Sequence, residues 1–346
     1  MSKRKRFGVS VVVLLAVFGV GYTVYVGAEG SRRVVAAAGP GDCRTPDVQF
    51  GWAYEAINYD VADDAQLQAR NPNLEKCTYL GSKAGDAVVT DDGIRIAGWY
   101  VPAGNGAGPE APTIVLAHGF LASKSGILKF GQGLHETFNL VAFDFRNVGR
   151  STGDLSTGGV LEQRDLRAVL DWLERTKHPA RIGVLANSFG AATALAEATS
   201  DPRVEALALD SMHTRTRYQL EARLQHEPIR LGPVMLPINH PAYPGTWAIV
   251  LGSWMRTGVD IGSIDAEDRL SKIGQRAMLL THGTADNEDL PERTQTFYDE
   301  AIAAGIPAEL QWCAGSGHNA PAGMPAEVCK DAFAGWVRDF FTQTLN

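Results

Sequence analysis

Apolar residues along the 346-residue chain fall into two alternating kinds of run. The first kind is short and uninterrupted: Thr113–Ala117 (TIVLA), 140–143 (LVAF), 182–185 (IGVL), 204–209 (VEALAL), 277–280 (AMLL) and 308–312. Runs of this length suit parallel strands covered on both faces. The second kind has helical spacing. Within 160–176, Val160, Leu161, Leu166, Val169, Leu170 and Leu173 share one helix face. Segment 188–198 is rich in alanine, and 293–304 and 326–345 are two further helical segments. A hairpin is expected from strands 86–90 and 94–101 about the Asp92-Gly93 turn. Strands alternating with helices specify an α/β architecture, a mostly parallel sheet with helices on both faces.

Two stretches break this alternation. Between 210 and 270 no strand is evident, and Met212, Tyr218, Met235, Tyr243, Trp247, Trp254 and Met255 recur among several prolines. This reads as a cap insertion whose aromatic residues either line an apolar pocket or pack the cap onto the core. The second stretch opens the chain. Lys3, Arg4, Lys5 and Arg6 precede residues 7–28, which carry no charge. That exceeds the roughly 18 residues that suggest a membrane-spanning helix. Val26-Gly27-Ala28 is also a passable cleavage site, so a cleaved signal peptide is the first alternative to an uncleaved anchor, and a buried N-terminal helix the second. On the anchor and signal readings the basic flank stays inside, and the remainder lies outside the cytoplasm. Residues 36–42 (AAAGPGD) read as a linker, and 50–80 has no assigned element. The expected plan is an anchor or signal over 1–30, an extracytoplasmic extension over 31–85, a core over 86–210 and 271–346, and the cap over 211–270.

Composition narrows the function. Apolar residues make 45% of the chain and charged residues 21%, ordinary for a globular protein. With 32 basic and 39 acidic residues the net charge is −7, which argues against nucleic acid as a partner. Four cysteines, Cys43, Cys77, Cys313 and Cys329, fit an oxidising compartment and allow three pairings. Cys43–Cys77 would staple the N-terminal extension. Cys313–Cys329 would close a short loop, worth about 3 kcal/mol. No C-x-x-C spacing exists, so no zinc site is expected.

The candidate chemistry is a nucleophile elbow, a serine on a sharp strand-to-helix turn. The literal G-x-S-x-G match, Gly149-Arg150-Ser151-Thr152-Gly153, leads into a loop and is set aside. Ala186-Asn187-Ser188-Phe189-Gly190 follows an apolar strand and opens an alanine-rich helix, so Ser188 is the expected nucleophile. The same position also suits a helix N-cap serine. A serine hydroxyl needs a base, and the base an orienting carboxylate. His318 is the one histidine after the loop His282-Gly283-Thr284-Ala285-Asp286, giving the order Ser188, Asp286, His318. Asp289 and Asp210 are alternative acids, and His282 more readily braces the acid loop. Oxyanion donors are expected from the backbone N–H groups of Phe189 and Phe120, with Leu121 second to Phe120. His118 is read as structural.

His118-Gly119-Phe120, Asp144-Phe145-Arg146-Asn147-Val148-Gly149-Arg150-Ser151, the elbow, His282 to Asp286, and Gly317-His318 occur in one order. In this the chain resembles the α/β-hydrolase superfamily, in its esterase, lysophospholipase and serine-aminopeptidase-like branch, from about residue 86 onward. The second motif normally reads D-x-R-G-x-G-x-S. Asn147 stands at its first glycine, and asparagine tolerates the positive φ that such a turn needs. The resemblance implies a Ser-His-Asp hydrolase without metal or organic cofactor. The expected activity is esterase action on a small or lipid-like acyl ester. A peptidase or amidase with the same triad, and an inactive hydrolase-fold binding module, are the alternatives.

Overall fold

The structure is a computed structural model describing residues 3–36, 44–58, 87–231, 234–318 and 329–345. Its elements, in chain order, are α1 (Lys3–Val35), α2 (Pro46–Phe50), β1 (Glu55–Ile57), β2 (Gly98–Val101), β3 (Thr113–Ala117), α3 (Lys124–Leu128) and β4 (Asn139–Phe143). There follow α4 (Glu162–Thr176), β5 (Ile182–Asn187), α5 (Phe189–Ala198), β6 (Val204–Asp210), α6 (Thr216–His226), β7 (Pro228–Leu231), β8 (Val234–Asn239) and α7 (Ala242–Thr257). The chain ends with β9 (Ala277–Gly283), α8 (Pro291–Ala303), β10 (Ala308–Cys313) and α9 (Lys330–Leu345).

Eight strands form one sheet in the order β1-β2-β4-β3-β5-β6-β9-β10. All pairings are parallel from β4 to β10, while β1–β2 and β2–β4 are antiparallel. Successive side chains of each strand point to opposite faces, and both faces are buried. Val115, Val141, Val184 and Leu207 meet α4 and α5 on one side. Ile114, Leu140, Leu185 and Leu279 meet α3 and α9 on the other. The apolar runs are continuous because neither face has water to meet.

Three expectations need correction. The hairpin expected over 86–101 is reduced to a Val89–Arg95 bridge and the strand β2. Within the stretch left unassigned, β1 pairs with β2 at the sheet edge. The insertion between β6 and β9 does contain strands, because β7 and β8 form an antiparallel hairpin between α6 and α7. Cys43, Cys77, most of the expected linker and the bulk of the extension lie outside the described residues. Cys313 and Cys329 are joined by a disulfide, one of the expected pairings.

Among the described residues no helix is long and apolar enough to cross a membrane. Instead the C-terminal half of α1 lies along α7. A Cβ on Gly27 would sit 2.9 Å from Ala248 Cβ, and one on Gly252 2.8 Å from the Gly27 carbonyl oxygen. The two helices therefore touch backbone to backbone. Val26, Leu220, Leu224 and Ile249 close a small third core there.

Candidate active site

Ser188 stands between β5 and α5 with φ 50° and ψ −122°. A non-glycine residue with positive φ is strained and is held only by its surroundings. Its N–H donates to the Asp210 carbonyl (2.8 Å), fixing the turn to β6. The tight turn also explains the residues flanking it. A Cβ on Gly190 would lie 2.4 Å from the His118 carbonyl oxygen and 2.6 Å from that of Ala117, so only glycine fits. Ala186, by contrast, is wholly buried between β3 and β6, and its methyl is accommodated.

His318 bridges the serine and the acid. Its Nε2 is 2.9 Å from Ser188 Oγ and its Nδ1 2.8 Å from Asp286 Oδ2. The three side chains expected from sequence are thus brought into one hydrogen-bond chain. Both alternative acids are placed differently. Asp289 Oδ2 is 3.7 Å from His318 Nδ1 and accepts instead from Gln219 Nε2 at 3.1 Å. Asp210 accepts from Thr281 Oγ1 at 2.8 Å.

Burial penalises charge on Asp286, but hydrogen bonds from His282 and His318 overcome this and hold its pKa well below the carboxylate range. Burial pushes Asp289 up to about 7 and Asp210 up to about 6. Burial also opposes charge on His318, yet the Asp286 hydrogen bond and charge win and raise its pKa. One carboxyl is thus pushed down and two neighbours are pushed up, a separation typical of working sites.

The acid is itself held. Asp286 Oδ1 accepts the N–H groups of Glu288 (2.9 Å) and Asp289 (3.0 Å). His282 approaches Asp286 Oδ2 at 3.2 Å, meets the Asp289 carbonyl at 2.8 Å and lies 3.0 Å from Thr294 Oγ1. It braces the acid loop, as expected. The loop carrying His318 is pinned to the same place. Ala285 N–H donates to the Ser316 carbonyl (2.8 Å), and Gly315 N–H to Thr284 Oγ1 (2.8 Å).

The Gly119–Phe120 turn reaches the serine, since a Cβ on Gly119 would lie 3.4 Å from Ser188 Cβ. Phe189 opens α5, where the first N–H groups have no intrahelical acceptor. The rings of Phe120 and Phe189 are 6.2 Å apart. Leu121, the second candidate donor, has φ 58°. His118 is structural: Phe145 N–H donates to its Nε2 (3.1 Å), leaving Nδ1 to donate to the Gly119 carbonyl (2.8 Å).

Ser151 lies in the core. Its Oγ donates to the Asp144 carbonyl (2.5 Å) and accepts from Ala97 N–H (2.9 Å). The surrounding motif is scaffold. Asn147 has φ 61°, as its place in the turn requires. Asp144 pairs with buried Lys124, and Arg146 with Asp165 and Asp92.

Sequence reasoning missed two neighbours. His213 is buried, and burial with the nearby Arg223 and His318 pushes its pKa down to about 3. Arg223 reaches from α6 to Glu288 (2.7 Å) and lies 5.8 Å from the Phe120 ring. Neither stands in a motif, and both belong to the insertion, where no pattern marks the side that faces the sheet. Beside Phe120 and Leu121 opens a cavity of about 690 Å³. Leu220 and Arg223 of α6, Ile249 of α7 and Val26 of α1 line it. The cap's aromatics are not its lining. Tyr243, Trp247 and Trp254 face outward, so neither the pocket nor the core-packing expectation describes them.

A model of the alpha/beta hydrolase family matches residues 114–332, and the chain belongs to that family. It is 27% identical over 265 residues to "Uncharacterized protein Rv2307c" of Mycobacterium tuberculosis, covering 75% of this chain and 79% of that one. Over 162 residues it is 32% identical to "Uncharacterized protein YfhR" of Escherichia coli O157:H7, covering 45% and 54%. Among solved structures, the Pyrococcus furiosus esterase Pf2001 aligns with a TM-score of 0.63 at 19% identity, over 90% of this chain and 99% of that one. Est1E of Butyrivibrio proteoclasticus, with ferulic acid bound, aligns at 0.53 and 15% identity, over 75% and 100%. At these identities the likeness to the solved structures is one of fold.

Proposed function

We propose that the protein is a serine hydrolase that cleaves carboxylic esters through an acyl-enzyme. The observation that carries this reading is the chain Ser188–His318–Asp286, on a serine held at positive φ. Ser188 Oγ attacks the ester carbonyl while His318 Nε2 takes its proton. Asp286 keeps the Nδ1–H tautomer and stabilises the imidazolium. The N–H groups of Phe120 and Phe189 receive the oxyanion. His318 then returns the proton to the departing alcohol, and water repeats the sequence on the acyl-enzyme.

The same proposal places the catalytic part outside the cytoplasm, held to the membrane by the N-terminal segment. The uncharged stretch 7–28 behind four basic residues supports this, as does a disulfide between Cys313 and Cys329. The test is labelling of the full chain with a fluorophosphonate. Parent and Ser151→Ala should label and Ser188→Ala should not; labelling retained in Ser188→Ala refutes the assignment. Matched ester and anilide substrates then separate esterase from amidase action.

A further inference from the structure

The cap presents a face that the ester chemistry does not use. On α7, Trp247, Leu251, Trp254 and Met255 follow helical spacing along one side, while Thr246, Ala248, Ile249 and Ser253 are buried on the other. Trp247 is 59% exposed, Trp254 53% and Met255 72%. Large apolar side chains gathered on one outward helix face mark a contact surface.

The neighbouring elements continue it. In α1, Val17, Val20 and Val24 are each 65% exposed and recur at one-turn spacing. Met235 and Ile238 of β8 are exposed as well. Between α1 and the hairpin lies a groove of about 770 Å³ lined by Val20, Val24, Ile238 and Pro244.

The packing fixes direction. Tyr22 Oη meets His240 Nδ1 at 3.0 Å, ahead of α7, while Arg256 Nε donates to Ser31 Oγ at 3.0 Å, at its end. The two helices therefore run side by side in the same sense. Charge enters together at one end, with Glu29, Arg32 and Arg33 on α1 and Arg256 on α7. At the other end α1 begins ahead of the Tyr22–His240 contact, and the sequence carries no charge over 7–21. In sequence order, an uncharged stretch followed by aromatic residues and then by charges is the order found across a membrane–water boundary.

We infer that the outward face of α7, with the exposed valines of α1, lies in the head-group and acyl boundary of a lipid bilayer. The occupant is lipid, because the face is continuous with the uncharged N-terminal stretch. The inference rests on the membrane reading above.

Tryptophan supplies the probe, since α1 contains none. The full chain is placed in dioleoylphosphatidylcholine vesicles with and without bromine on the acyl chains. Bromolipid should quench part of the parent's tryptophan emission, and Trp247→Phe/Trp254→Phe should lose most of that quenching. Equal quenching in both proteins, or none in the parent, overturns the inference. So does shielding of these two residues from acrylamide in vesicle-free protein of doubled mass, which would mean that a second copy covers the face. This readout needs no catalysis, so it stands or falls apart from the ester reading. In turnover, Trp247→Ser/Trp254→Ser/Met255→Ser should act more slowly on a vesicle-borne ester and at the parental rate on a soluble one. Equal losses on both overturn the inference.

Discussion

Asp286→Asn tests the site at its most constrained point. In the parent, Oδ1 accepts two backbone N–H groups and Oδ2 faces His318 Nδ1 at 2.8 Å. An asparagine carbonyl must take the Oδ1 position, because an NH₂ there would meet two donors. The amide nitrogen is then forced toward His318 Nδ1. Two donors cannot share that contact, so the imidazole gives up its Nδ1 proton and carries one at Nε2. Nε2–H points at Ser188 and can no longer act as the base. A loss on the order of 10⁴-fold in kcat/KM is expected, as for the wrong tautomer in other triads. That is about 5 kcal/mol of barrier. His318 also loses the partner that raises its pKa. The parent's kcat/KM should therefore climb with pH through a midpoint above about 6.5, the ordinary histidine value, while any residual activity of the variant should climb at lower pH. The assay is ester hydrolysis from pH 5 to 9, with Ser188→Ala as the floor. A variant within tenfold of the parent and with the parent's profile would refute Asp286 as the orienting acid.

Other outcomes follow from the same contacts. Gly190→Ala should destabilise by about 3 kcal/mol or more, because its methyl meets two backbone carbonyls that cannot step aside; a parental denaturant midpoint would contradict this. Ser151→Ala strands Ala97 N–H and should cost about 1–3 kcal/mol of stability while leaving kcat unchanged. Cys313→Ser/Cys329→Ser should lower stability by about 2–4 kcal/mol, seen as an earlier denaturant midpoint matched in the parent by added reductant. Acid should also weaken the parent. Asp286 is held below its unfolded pKa, so its contribution is full above the ordinary carboxylate value and fades as pH falls through the depressed one. Denaturant titrations at descending pH should show less fading in Asp286→Asn.

How far the chain could be read depended on whether a residue's role was local. Thr113–Ala117 was legible to the residue because both its faces are dry, so the run after Thr113 is wholly apolar. Ser188 was legible because strand, turn and helix adjoin in sequence. His318 and Asp286 were legible as a consequence of chain order. Strand β1 was not, since three residues with an exposed glutamate at their head carry no period. The β7–β8 hairpin was hidden because it pairs only with itself and leaves Met235 and Ile238 outside. The seam of α1 with α7 was also hidden, because small residues such as Gly27 and Gly252 signal close approach only once the partner is known. The choice among three aspartates needed geometry, because only distances of 2.8 and 3.7 Å separate Asp286 from Asp289.

The first helix is also a wall of the cavity, contributing Tyr25, Val26 and Gly30 to its lining. Residues that a reader of the sequence would assign to delivery thus wall a cavity beside the Phe120 turn. A graft that replaced this segment with another of equal hydropathy would therefore have to reproduce the close Gly27–Gly252 seam as well, or the cavity would lose a wall.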